Sequence, residues 1–340
     1  MSKKTSEKSL EAQINLATQA YKKHANRLRK RKGVVDVAIG FKCTNGLYGI
    51  EQLPKKEQKQ MPSPQIAIII YVEKKLSVQD LYHNQKFEKS IDGIPIDVVE
   101  IPIGESAQGV GFNQRFSKLE GGIGIGLNSG PSPGTLGVIV KDRSTNAKYA
   151  LTCAHIAVGL KVSNGLGGEV FQPPSGLLND NIGVCTADGR DGNNHTRRTL
   201  DCATVSLNPV DTTRTVELGK VHKLSQRVSS IVPAREKNVV GKMVKKVGAV
   251  TGKTTGEILT KSPYQDSMQN IFFKGLFKLR SSVNKPFADH GDSGSFVYME
   301  KQDGIAAVGL VQAVDKRDPR FVDVFIVPMQ LIAAHFKIKF

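Results

Sequence analysis

Ala288-Asp289-His290-Gly291-Asp292-Ser293-Gly294-Ser295-Phe296 decides how the rest of this 340-residue chain is read. A serine stands between glycines, with an aspartate directly before it and the apolar run Phe296-Val297-Tyr298 close behind. That combination suits a nucleophile on a tight turn leading into a strand. Glycine at 291 lets the backbone turn so that its own N–H and that of Ser293 point into one small space, where they could stabilise a developing oxyanion. Gly294 is expected to keep the approach to Ser293 open.

Serine alone is a poor nucleophile, so this reading requires a base and an orienting carboxylate elsewhere. Thr152-Cys153-Ala154-His155 follows the apolar run Tyr149-Ala150-Leu151, which places His155 at the end of a strand. Leu200-Asp201-Cys202-Ala203-Thr204-Val205 places Asp201 at the start of another. Each residue alone has an ordinary reading, as a turn serine, a packed histidine or a capped carboxylate. In the order His155, Asp201, Ser293, each in a strand-end or turn setting, they make up a catalytic triad.

The ordered set resembles the chymotrypsin/trypsin-like serine peptidases, and the Gly-Asp-Ser-Gly-Ser variant is most similar to their bacterial and intracellular branches. Val247-Gly248-Ala249-Val250-Thr251-Gly252-Lys253-Thr254-Thr255-Gly256 resembles the Gly-Thr-rich strand pair between the aspartate and serine motifs. Val308-Gly309-Leu310-Val311-Gln312 resembles the strand against which substrate backbone pairs. The resemblance implies a mainly β fold: a trypsin-like double β-barrel with a C-terminal helix, preceded here by a small α/β module. It implies a serine endopeptidase acting through an acyl-enzyme. Ser293 attacks the scissile carbonyl, His155 moves the proton, Asp201 orients the imidazole, and the N–H groups of Gly291 and Ser293 hold the oxyanion. In the family, the residue at Asp292 shapes the oxyanion turn through an ion pair, for which no partner is evident here. Phe287 falls at the base of the primary pocket, with Val314 narrowing it and His290 and Val311 beside the substrate. A pocket without a carboxylate implies a small or apolar preference over a basic one. Three departures stand out. Cys153 replaces a usual alanine, no cysteine follows His155 to form the secreted enzymes' disulfide, and Gln312 replaces a serine that supports the aspartate in many relatives.

The composition, 39% hydrophobic and 23% charged, is that of an ordinary globular protein. The net charge of +17 is high and is not confined to one end, which favours acidic partners without selecting among them. Cys43, Cys153, Cys185 and Cys202 lie far apart, so neither a zinc site nor a disulfide framework is expected. No histidine pair has ligand spacing, and no metal or cofactor is expected. The basic start Met1-Ser2-Lys3-Lys4 has no apolar core after it, and no apolar run is long enough to span a bilayer. The expectation is a cytoplasmic chain with reduced thiols.

Leu10, Ile14, Ala17, Tyr21, Ala25 and Leu28 recur at helical steps and predict a helix over 10–32, ended by Gly33. This gives an organisation of a basic amphipathic helix (1–33), a small α/β module (34–112) and a peptidase domain (113–340). Arg27, Arg29, Lys30, Arg31 and Lys32 form the densest charge cluster. They read either as a contact for an acidic protein or nucleic acid, or as a solvated last turn complementing the helix dipole. Strands are expected at 34–39, 65–72 and 96–101, with a short helix over 77–87 and an exposed loop over 54–62. Ile91-Asp92-Gly93-Ile94-Pro95-Ile96-Asp97-Val98-Val99 in this module also resembles some uncharacterised bacterial trypsin-like proteins and the plant narrow-leaf trypsin-like proteins. Beyond Gly121, many short strands separated by Gly, Pro, Asn and Asp predict a β-barrel architecture, closed by a helix over 328–337. A loop over 187–198 is expected near Asp201. Gly248-Ala249-Val250-Thr251-Gly252-Lys253-Thr254 looks like a phosphate-binding loop, but only three residues separate its glycines where four are required. Gly122-Ile123-Gly124-Ile125-Gly126 reads as close packing of the first barrel strand. The rival functional class is a protease-fold binding or scaffolding protein that does not turn over substrate; an intact triad argues against it.

Overall fold

The computed structural model describes residues 3–50, 62–76, 86–101, 103–106, 114–127, 133–160, 166–174, 180–190, 200–207, 214–269 and 271–340, with the backbone alone for 3–9 and 103–106. The chain opens with α1 (Lys3–Arg29), whose buried face carries Ile14, Ala17, Ala20, Ala25 and Leu28. Part of that face packs on Val37, Ile68, Ile70 and Val72 from β1 (Val34–Phe41) and β2 (Ile66–Val72). The helix stops at Arg29 rather than Lys32. The Arg31 N–H turns back to the Leu28 carbonyl and the Val34 N–H to that of Arg31, and Gly33 takes φ +80° in the turn. A two-residue turn of Asp92 and Gly93, both with positive φ, joins β3 (Ser90–Ile91) to β4 (Ile94–Glu100). Positive φ at both central positions is what a tight hairpin turn demands. β2 lies between β1, antiparallel, and β4, parallel. β5 (Ile103–Ser106) follows. The helix expected over 77–87 and the loop over 54–62 fall mostly outside the described residues.

The next strands are β6 (Lys118–Gly121), β7 (Gly124–Leu127), β8 (Gly134–Thr135), β9 (Val138–Asp142) and β10 (Lys148–Thr152). They continue as β11 (Glu169–Phe171), β12 (Asn181–Asp188), β13 (Ala203–Leu207) and β14 (Thr215–Val221). Together they order as β6-β14-β9-β10-β13-β12-β11-β7-β8 and, with the last strand of the chain, form a ten-stranded sheet. Inward-facing Ile125, Ile139, Ala150, Val170 and Val205 fill its interior. Gly121 and Gly122 allow the close packing expected of this region. A Cβ at 121 would sit 2.0 Å from the Gly137 carbonyl oxygen and one at 122 would sit 2.8 Å from Val247 Cγ1.

The second sheet uses β15 (Val228–Ile231), β16 (Met243–Gly248), β17 (Gly252–Asp266) and β18 (Ile271–Ser282). It is completed by β19 (Phe296–Lys301), β20 (Gly304–Asp315) and β21 (Phe321–Pro328). The order is β16-β19-β20-β21-β18-β17, and β16 also pairs with β17, which closes six strands into a barrel. Every residue of β20 and β21 is buried, so neither strand shows the alternation of a half-exposed sheet. Val138, Val140 and Leu151 of the first sheet meet Phe296, Tyr298, Leu310, Phe325 and Val327 of the second in one core. The closing helix, Met329–His335, adds Met329 and Ile332 to it. The fold is therefore mostly β, with two barrel-like sheets in the trypsin-like arrangement. The N-terminal strands are joined to it directly, because β1 pairs with β17 at Gly40 and Thr260 and continues the second sheet.

Candidate active site

His155 and Asp201 come together because their strands are neighbours. β10 and β13 are antiparallel with Thr152 opposite Ala203, so the end of one lies beside the start of the other. After Thr152 the chain enters a single helical turn, Ala154–Ala157, which carries His155. Asp201 Oδ2 lies 2.6 Å from His155 Nδ1, and its Oδ1 accepts the His155 backbone N–H at 3.0 Å. Gln269 Nε2 donates to Asp201 Oδ2 at 3.1 Å. Gln269 is itself held, since Arg190 Nη1 donates to its Oε1 at 3.1 Å and Asp266 accepts its backbone N–H at 2.8 Å. The His155 and Asp201 side chains are fully buried. Burial alone would push the Asp201 carboxyl up, but the charge and hydrogen bonds of His155 and the charge of Arg190 outweigh it and hold the group well below the usual carboxylate range. A carboxylate on Nδ1 fixes the proton there and leaves Nε2 as the basic atom of the ring.

Ser293 belongs to the other sheet, in the turn before β19. Gly291 (φ +94°) and Gly294 (φ +90°) both occupy the left-handed region that favours glycine. Thr135, on β8 of the first sheet, ties this turn across the sheet junction. Its N–H donates to the Ser293 carbonyl at 2.8 Å and its Oγ1 to the Gly291 carbonyl at 2.9 Å. Thr152 Oγ1 in turn donates to the Thr135 carbonyl at 2.8 Å. A Cβ on Gly294 would lie 2.2 Å from that same carbonyl oxygen and 2.4 Å from Thr152 Oγ1. The smallness of Gly294 is thus needed to let the two sheets meet, not to leave Ser293 accessible as expected. Ser293 is completely buried. Its Oγ donates to the Gln312 carbonyl at 2.9 Å, while the buried His155 Nε2 has no hydrogen-bond partner. The structure brings His155 to Asp201 and leaves the serine-to-histidine hydrogen bond unmade.

Asp292 has the ion-pair partner that the sequence did not reveal. Lys246 Nζ lies 3.0 Å from Asp292 Oδ2, with both side chains fully buried. Burial pulls the Lys246 ammonium below its ordinary pKa, and the charge of Asp292 opposes that shift. The same carboxylate accepts the Val250 N–H at 2.9 Å, the Asp289 N–H at 3.0 Å and the Thr251 hydroxyl at 2.6 Å, with the Thr251 N–H further off at 3.3 Å. The loop that looked phosphate-binding therefore cradles an anion belonging to this chain. Successive backbone N–H groups make such a concavity for any oxyanion, which is why the motif looked familiar.

The remaining site expectations divide. Gly291 and Ser293, the residues expected to supply the oxyanion donors, both lie in the turn before β19, and the Gly291 N–H has no acceptor among the described residues. Phe287, Val311 and Val314 are buried within the hydrophobic cluster that fills the second barrel, so they form core in this structure and do not outline an open pocket. His290 is half-buried and its N–H donates to Asp289 Oδ1. Gln312 does not replace the missing serine: both atoms of its side-chain amide are buried without partners, and Gln269 supports Asp201 instead. Sequence reasoning also missed Thr135, Arg190 and Lys246, none of which stands in a motif, and gave no role to Thr152, which opens the histidine motif; only their distant partners reveal them. Of the expected loop over 187–198, Arg190 packs behind Asp201 through Gln269, while 191–199 lie outside the described residues. Cys153 donates its thiol to the Val311 carbonyl at 3.1 Å, and burial pushes its pKa well above the ordinary value, as it does for Cys202. All four cysteines are free thiols. In the basic cluster, Arg29 pairs with Asp36 at 3.1 Å and Arg31 stacks 3.9 Å from the Phe87 ring centre, while Arg27, Lys30 and Lys32 stay exposed. Among the described residues no group of three or more His, Cys, Asp or Glu could hold a metal, and no helix is long and apolar enough to cross a membrane.

Two barrel-like β sheets, one with a histidine–aspartate pair at its edge and the other with a serine turn, make up a mostly β fold in the trypsin-like arrangement. The family described as "Nal1 C-terminal domain" matches residues 202–316. Protein NARROW LEAF 1 of Oryza sativa subsp. japonica is 26% identical over 313 residues, covering 81% of this chain and 50% of the rice protein. The chain thus spans about half the length of that curated relative. Among solved structures, Thermobifida fusca Protease A is similar with a TM-score of 0.45 and 18% identity, over 65% of this chain and 97% of that one. Cellulomonas bogoriensis chymotrypsin is similar with a TM-score of 0.45 and 19% identity over the same shares of 65% and 97%.

Proposed function

We propose that this chain is a serine endopeptidase that hydrolyses peptide bonds through Ser293, His155 and Asp201. The observation that carries the reading is the 2.6 Å contact between His155 Nδ1 and Asp201 Oδ2, in a fully buried pair that Gln269 also braces. A carboxylate so placed has one evident chemical use, which is to keep the imidazole in the tautomer that accepts a proton at Nε2 and to stabilise the cation that results. In the reaction, Ser293 Oγ leaves the Gln312 carbonyl and gives its proton to His155 Nε2 as it attacks the substrate carbonyl. The N–H groups of Gly291 and Ser293 receive the oxyanion, and His155 returns the proton to the leaving amine. The Lys246–Asp292 pair keeps that turn in shape without a newly cut N-terminus. Substrate is a protein or peptide; the chemistry calls for no cofactor.

A second reading, a protease-fold binding protein, is favoured by one observation: Ser293 is fully buried and its hydroxyl is turned to Gln312. A fluorophosphonate probe separates the two. Labelling of the folded protein that disappears in both Ser293→Ala and His155→Ala is expected for the peptidase, with turnover on a peptide substrate falling by about a million-fold in each variant. Absence of labelling both in purified protein and in cell lysate would remove the catalytic reading.

A further inference from the structure

β20 changes neighbours partway along one edge. β19 pairs with it from Gly304 to Leu310, and the Gly294 N–H and Ser295 carbonyl bond Val311 just beyond. Ser293 Oγ reaches the next carbonyl, that of Gln312. From there the edge belongs to β5, which runs antiparallel with Ser106 opposite Ala313 and Glu105 opposite Val314. β21 holds the other edge over the same residues. On its far side β5 pairs with β17, Ile103 opposite Gln265 and Gly104 opposite Asp266, a few residues before the Gln269 that braces Asp201. The direction matters as much as the contact. Read from Glu105 to Ser106, the segment advances along β20 toward Gln312, and so toward the hydroxyl of Ser293.

We propose that the chain's own Ile103–Ser106 occupies the Gln312–Val314 edge of β20, which continues the strand that the resemblance assigns to substrate backbone, so that a peptide binds there only by displacing it. Main-chain hydrogen bonds to a free strand edge are a general means of holding extended peptide, and they select backbone conformation rather than a particular side chain. The proposal deepens the peptidase reading and rests on it only for the consequence that a peptide held here is cut. A tethered occupant acts as a competitor at an effective concentration on the order of 1 mM, so it weakens a free peptide of roughly 100 μM affinity by about tenfold.

The test uses a fluorescein-labelled synthetic peptide with the sequence of residues 99–110, read by polarisation against the full chain carrying Ser293→Ala to prevent cleavage. Adding Glu105→Pro removes one N–H from the occupant and breaks its antiparallel pairing. The peptide is expected to bind this double variant about tenfold more tightly than Ser293→Ala alone. Equal binding to the two, or binding to neither, overturns the proposal. Should Glu105→Pro fail to fold, hydrogen exchange on the unmodified chain decides: protected amides over 103–106 support the occupant, and exchange at the rate of free peptide removes it. Fluorophosphonate labelling keeps the two readings apart. Glu105→Pro protein that binds peptide but takes no label retains the binding edge and loses the peptidase. Protein that labels equally fast with and without Glu105→Pro, and binds peptide equally, retains the peptidase and loses the occupant.

Discussion

Replacing Lys246 with methionine would leave the Asp292 carboxylate charged and buried with no cation beside it. At 3.0 Å the attraction is worth roughly 5 kcal/mol at an effective dielectric of about 20, and part of it is offset by the cost of burying the ammonium. Removing one partner of a buried pair typically destabilises by about 3–5 kcal/mol. Asp292 would keep its bonds from Val250, Thr251 and Asp289, which places the expected loss at the lower end, about 3 kcal/mol. Urea unfolding followed by circular dichroism should show a lower midpoint at unchanged slope. Lys246→Met/Asp292→Asn, which removes both charges, should recover part of the loss. A loss under about 1 kcal/mol would refute the reasoning, because the loop amides alone would then suffice to hold the carboxylate.

Three further outcomes are expected. Gly248→Ala would place a methyl 2.3 Å from both Asp292 Oδ1 and Ser295 Oγ, so it should cost about 1–3 kcal/mol in urea unfolding and abolish Ser293 labelling; tolerance of both would contradict the packing. Gln269→Ala removes one bond to Asp201 and should slow fluorophosphonate labelling by roughly tenfold, with stability lowered by about 1 kcal/mol, whereas an unchanged labelling rate would show that His155 alone orients the carboxylate. Burial pushes the Glu257 carboxyl up to about 7, so its charge opposes folding increasingly between its ordinary value and that pH. Glu257→Gln should stabilise by about 1 kcal/mol at pH 8 after allowance for its partial exposure, and by nothing near pH 4; a benefit present at both values would exclude titration as the cause.

How much could be read from the sequence depended on whether a signal was local. His155, Asp201 and Ser293 announced themselves because each sits at the junction of an apolar strand and a turn, and strand-end residues are written next to their strands. β18, β20 and β21 were legible from β-branched and aromatic runs, whereas β17 was read as a strand only over 257–260. β8 and β11 were not, since two or three residues give no period, and β8 nonetheless supplies Thr135. Lys246 was unreadable as an ion-pair partner because an inward-facing lysine in a strand looks like any other until the carboxylate opposite it is known. Gln269 failed in the same way, being a turn residue whose target lies in the other sheet. Phe287, Val311 and Val314 were placed by motif spacing, which locates a residue along the chain but does not say whether the space before it is open.

The pairing of Gly40 with Thr260 also bears on how this protein could have arisen and how it can be cut down. A Cβ on Gly40 would lie 2.3 Å from the Thr260 Cβ, so the two strands approach with no tolerance for a side chain between them. A fragment beginning near residue 113 would uncover the edge of β17 around Thr260, while Gly252–Glu257 would stay paired with β16. Bare borders of that kind recruit strands from other molecules and aggregate. The N-terminal strands thus guard a stretch of barrel edge that a trimmed chain would leave bare.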